Sequence, residues 1–109
     1  MKSKATEGYI YLIGEMNNPN IYKIGMTRNK NVEERMKKLQ TGNSEELYIR
    51  YTFFTNHVTK LEKMLHNYYK NQNSINEWFT ITDEEANNFL NICQKYQGII
   101  DSLKENPYF

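Results

Sequence analysis

Four side chains suited to phosphodiester hydrolysis follow one another along the chain: the phenol of Tyr11, the ammonium of Lys23, the guanidinium of Arg35 and the carboxylate of Glu62. Such a reaction needs a water relieved of a proton, neutralisation of charge on the non-bridging oxygens, and support for the departing oxyanion. Arg35 offers a planar fork matched to a pair of phosphate oxygens. A cation beside Tyr11 favours its phenolate, and Lys23 on a neighbouring strand is the cation expected to do so. One carboxylate is enough for a Mg²⁺ or Mn²⁺ ion that completes its shell with waters and substrate oxygens. The lack of a second clustered carboxylate disfavours a two-metal arrangement.

These groups need a scaffold, and the sequence spells one out. Gly8 to Gly14 is filled with β-formers and reads as a first strand. Asn17-Asn18-Pro19-Asn20 is turn chemistry, and Ile21 to Met26 reads as the return strand of a hairpin. Asn31 followed by Glu34 outlines a capping box. Val32, Met36 and Leu39 then give a first helix over about Val32 to Gln40. Leu47 to Thr55 reads as a third strand, with Leu47, Ile49, Tyr51 and Phe53 on one face and Tyr48, Arg50 and Thr52 on the other. From Val58 the period becomes helical. Val58, Leu61, Leu65 and Tyr68 form the expected buried stripe, with Glu62, His66 and Tyr69 about 100° away at its edge. Asn76 to Ile81 reads as an extended cover. Thr82 with Glu85 repeats the capping pattern and opens a last helix running past Tyr96. The expected class is α+β, a small three-stranded antiparallel sheet flanked by helices.

At 109 residues there is room for one core, so recognition and chemistry must share one domain. The net charge of +1 hides an asymmetry: residues 1–76 hold 12 Lys/Arg against 7 Asp/Glu, and residues 77–109 hold 2 against 6. Arg28, Lys30, Lys37 and Lys38 join Lys23 and Arg35 in the densest basic stretch and are the candidate DNA-binding residues. A single cysteine, Cys93, rules out an intrachain disulfide or a thiolate metal cluster, and its apolar spacing with Ala86, Phe89, Leu90 and Tyr96 predicts a buried thiol. The lysines near the N-terminus lead into no apolar stretch of signal-peptide type, and no run approaches a membrane span. A soluble protein of a reducing compartment, cytoplasmic or nuclear, is the expectation.

Taken together, Gly8-Tyr9-Ile10-Tyr11, Tyr22-Lys23-Ile24-Gly25, Arg35, Glu62 and Glu77-Trp78-Phe79 resemble the GIY-YIG nuclease superfamily. The likeness is to its compact phage-associated branch, whose second motif reads Lys-Ile-Gly. It covers about residues 8–92, leaving 93–109 as a C-terminal helical extension. It implies one divalent metal held by Glu62, a scissile phosphate bound by Arg35, and cleavage of DNA to 5′-phosphate and 3′-hydroxyl ends. Tyr11 matches the first-motif tyrosine, and Lys23 stands where many relatives have the second-motif tyrosine. Two departures stand out: Tyr9 replaces the first-motif glycine, and Leu39 occupies the place where several relatives carry a histidine. His66 is the candidate substitute. The resemblance also implies a phage, virus or mobile-element setting. Two other classes stay open: a DNA-binding domain that keeps the fold without cleaving, and a protein-interaction module using the abundant aromatic residues.

Overall fold

The computed structural model describes residues 6–103; the lysines near the N-terminus and the last six residues of the expected C-terminal extension lie outside it. The chain runs β1 (Gly8–Glu15), β2 (Asn18–Thr27), α1 (Val32–Thr41), β3 (Leu47–Thr55), α2 (Val58–Tyr68), a 3₁₀ turn (Lys70–Gln72), β4 (Asn73–Ile75), β5 (Trp78–Thr80), α3 (Asp83–Asn87) and α4 (Phe89–Leu103). The sheet has five strands in the order β3-β1-β2-β5-β4, and every pairing is antiparallel. Three strands were expected. The additional two are three residues each, too short to show a period, and turn through Asn76 at a positive φ of 53°.

β1 is an inner strand and almost wholly buried, because its alternate side chains enter two separate cores. Ile10 and Leu12 join Tyr22, Ile24, Phe79 and the helical residues Val58, Leu61, Leu65, Phe89 and Cys93. Tyr11 and Ile13 point the other way, against Val32, Leu47 and the flanking Met36, Leu39 and Trp78. α2 and α4 therefore cover one face, and α1 the other.

Four local readings change, each for a physical reason. In β3 the ladder slips: Leu12 opposes Tyr51, but Ile13 opposes Ile49, leaving Arg50 as an extra residue. Leu47 and Ile49 consequently face α1, whereas Tyr51 and Phe53 pack with the larger core, so the uniform alternation expected for this strand is broken. Arg50 donates to the Tyr22 hydroxyl at 2.8 Å and to Asp83 at 3.0 Å, tying the slip to the start of α3. In α2 the stripe ends on Tyr69, which is buried, and Tyr68 is exposed; the helix stops at Tyr68 and the next residue caps it. The last helix is two helices, broken at Asn88, whose backbone N–H is shared between the Glu84 and Glu85 carbonyls in the tightened last turn of α3. The Asn-Asn-Pro-Asn stretch is mostly the irregular start of β2, where Asn20 takes φ 72°; the tight connection lies at Met16 and Asn17.

The capping signals divide. Thr82 and Glu85 form the reciprocal box, but Asn31 caps only Glu33, since the Glu34 carboxylate accepts instead from the Asn29 side chain.

Gly25 has a sharper role. It lies directly opposite Tyr11, and a Cβ there would come 2.5 Å from the phenol oxygen and 2.7 Å from the ring carbon bearing it. The ring is fully buried and has nowhere to retreat. Gly25→Ala should therefore destabilise the protein by about 1–3 kcal/mol through overpacking. Urea unfolding checks this, and the cost should shrink when Tyr11 is also cut back to alanine; equal costs in the two backgrounds would show that the ring does not depend on Gly25.

Candidate active site at the open edge of β2

β5 pairs with β2 only as far as Lys23. Beyond that point two groups stitch the edge of β2. Ile24 N–H donates to the Glu77 carbonyl at 3.0 Å, and His66 Nε2 lies 2.7 Å from the Ile24 carbonyl oxygen, a contact that requires His66 to donate. His66 thus carries the side of α2, with Glu62 one turn earlier, around the sheet edge towards the face that holds Tyr11.

Tyr11 is the centre of this arrangement. Its hydroxyl is buried and makes no well-formed hydrogen bond among the described residues, although the Arg35 guanidinium approaches it closely enough to interact. Burial pushes the phenol above its ordinary value of 10.0; the nearby Arg35 guanidinium opposes that, and the Glu77 and Glu62 carboxylates add to it. The sign is opposite to the expectation drawn from Lys23. Lys23 is instead paired with Glu77 at 3.3 Å and lies over the Trp78 ring, 5.5 Å from its centroid. Arg35, from the middle of α1, is the cation that acts on Tyr11.

Glu62 is shielded, with 17% of its side chain exposed. Burial raises its pKa first, then His66 lowers it, Glu77 raises it and Lys23 lowers it. Its carboxylate is 4.0 Å from His66 Nε2, at the limit of an ion pair. The structure therefore brings Tyr11, Arg35, Glu62, His66 and Lys23 into one neighbourhood and adds Glu77. Sequence reasoning counted Glu77 in the resemblance but gave it no part in the site; its signal was its position directly before the strand that pairs with Lys23. No group of three His, Cys, Asp or Glu residues is arranged to enclose an ion among the described residues.

The basic residues separate. Arg28, Arg35 and Lys38 line a concavity of about 320 Å³ beside the site, with Met26, Thr27 and Asn29. Arg28 is braced by a 3.0 Å hydrogen bond to Thr59 on α2. Lys30 borders two further hollows near Tyr9, and Lys37 is exposed on α1 away from these hollows. Cys93 lies in the large core, its thiol pushed up to about 12 by burial, so it is an inert packing group. No helix of the described residues is long and apolar enough to cross a membrane.

Comparison with known proteins gives one family. No curated protein and no solved structure matches the chain. The profile of the T5orf172 domain matches residues 8–94, which takes in β1 through the first turns of α4 and every residue of the site. The chain belongs to the T5orf172 domain family, a phage-associated group among the nuclease-related families.

Proposed function

We propose that this domain is a GIY-YIG-type endonuclease that uses one Mg²⁺ or Mn²⁺ ion to hydrolyse DNA phosphodiesters, leaving 5′-phosphate and 3′-hydroxyl ends. The observation that carries this reading is the Tyr11 hydroxyl, a buried polar group with no well-formed hydrogen bond, approached by the Arg35 guanidinium and flanked by two carboxylates. An unpaired buried hydroxyl costs about 1–3 kcal/mol, and a fold keeps such a cost where a ligand supplies the missing partner.

In this reading the missing partner is the attacking water, held by Tyr11 Oη in line with phosphorus. Arg35 binds non-bridging oxygens of the same phosphate. Lys23 fixes Glu77 through their ion pair, and His66 fixes the turn of α2 that carries Glu62. The donor set suits a hard cation: Glu62 is a shielded carboxylate whose ionised form is disfavoured by burial and by Glu77, and a divalent ion relieves both. Glu62 would hold the ion, with waters and phosphate oxygens completing its shell. When bound, the ion supplies charge neutralisation at the scissile phosphate.

A second reading is a DNA-binding domain that keeps the fold without cleaving, supported by the concavity lined by Arg28, Arg35 and Lys38, which can hold phosphate without a metal. Incubation with supercoiled, linear and branched DNA and Mg²⁺ or Mn²⁺ separates the two. Nicked or linear products that disappear with chelator support the nuclease. DNA retention in a gel shift without any cut product supports the second reading.

A further inference from the structure

Outside the site, the same sheet face carries an aromatic pair bordered by cations. Phe54, near the end of the edge strand β3, is 49% exposed. It meets Tyr9 of β1 edge to face, with centroids 5.4 Å apart and planes at 66°. The pair borders a hollow of about 270 Å³ whose other walls are Glu7, Gly8, Arg28 and Lys30. Arg28 is shared with the concavity that holds Arg35 and Lys38, so the aromatic hollow and the phosphate-binding side of the site adjoin.

An exposed ring between cations fits one kind of occupant. Apolar protein surface has no need of Arg28 and Lys30, and a bare phosphate has no use for Phe54. A nucleotide uses both, because every base has a π-face to stack and every backbone unit a negative charge. Glu7 sets the orientation: its carboxylate repels a phosphate on that wall, leaving the base over Phe54 and the backbone along Arg28 and Lys30. We infer that Phe54 and Tyr9 form a stacking platform for one unpaired nucleobase of the bound strand, next to the phosphate held by Arg35. This deepens the nuclease reading by naming single-stranded or locally opened DNA as the preferred substrate, and it rests on that reading for the direction of the strand.

The platform is tested without cleavage. Fluorescence anisotropy in chelator measures binding of a short single-stranded oligonucleotide, and of a wholly abasic strand with the same phosphates, to the full chain and to Phe54→Ala and Phe54→Trp. The expected result is that Phe54→Ala loses about tenfold in affinity for the intact strand, and Phe54→Trp keeps it. The parent chain should prefer the intact strand over the abasic one by at least about tenfold, and this preference should shrink in Phe54→Ala. Equal affinity of parent and Phe54→Ala for the intact strand, equal losses on both strands, or no binding by the parent chain would each overturn the platform. Circular dichroism confirms folding, and Phe54→Trp decides the matter if the alanine variant is unfolded: loss of intact-strand affinity in a folded Phe54→Trp also overturns it. Parallel cleavage assays keep the readings apart. An intact base preference without cleavage removes the nuclease and leaves the platform, and cleavage without a base preference does the reverse.

Discussion

A Tyr11→Phe protein should fold, bind DNA with near-parental affinity and cleave it about 10² times more slowly or worse. The ring remains in the space made for it by Gly25, and only a hydroxyl that makes no well-formed hydrogen bond is lost, so stability should change little. The pH profile carries the sharper content. Burial holds the phenol above 10.0, so at neutral pH Tyr11 is protonated, and ionisation of Tyr11 as a base becomes easier only as the solution turns strongly alkaline. The parent rate should therefore keep climbing through pH 10 instead of levelling near neutrality, and Tyr11→Phe should lose that climb. Arg35 is the cation that restrains the shift, so Arg35→Ala should move the tyrosinate absorbance titration still higher, and Lys23→Met should leave it nearly in place. A Tyr11→Phe protein that cuts at the parent rate would reduce the first motif to packing.

Glu62→Gln should abolish metal-dependent cleavage and, in the same molecule, raise the melting temperature at pH 7. The two effects have one cause. Burial raises the Glu62 pKa above its ordinary 4.5, so between that value and the raised one the folded state binds more protons than the unfolded chain. The stabilising contribution of protonated Glu62 is complete below the ordinary carboxylate range and is lost as pH rises through the folded-state pKa. At pH 7 the fold therefore bears the cost of an ionised, shielded carboxylate, and the neutral amide removes it. The gain should fade as the pH falls into the range where Glu62 is protonated. Added Mg²⁺ or Mn²⁺ should raise the melting temperature of the parent but not of Glu62→Gln. A variant that melts below the parent at pH 7 would contradict the shielding argument; one that cleaves normally would remove Glu62 from the reaction.

How far the sequence could be read depended on the length over which each signal repeated. The hairpin of β1 and β2, α1, and the helix bearing Glu62 were legible because each carries several periods of a single pattern. Glu62 at the margin of the buried stripe was legible for the same reason. What escaped were features set by one residue or by contacts distant in sequence. β5 falls in the stretch read as an extended cover, but its pairing with the edge of β2, and the short β4 that pairs with it in turn, are set by contacts that nothing local announces. The extra residue at Arg50 leaves no mark in the polarity pattern. The electrostatics of Tyr11 failed on a different ground: strand adjacency suggested Lys23, but Glu77 takes that ammonium, and the helix above the ring supplies Arg35 instead. Proximity along a hairpin identifies which charges are near, and only the third dimension decides which of them is already engaged.

The slip in β3 also makes that strand a junction between two duties. Its first half seals the small core beneath α1, and its second half sends Tyr51 and Phe53 into the large core while leaving Thr52 and Phe54 on the outer surface beside Tyr9. Which residues that surface displays is therefore governed by counting as much as by chemistry. Loss of Arg50 would close the slip and leave both sets in place, since Ile49 already opposes Ile13 and Tyr51 already opposes Leu12, whereas loss of Thr52 would turn Phe53 outward and Phe54 inward. Length change beyond the slip is thus a route by which related chains can exchange one exposed surface for another in a single step, and β3 is the segment in which differences in chain length should be read before differences in residue type.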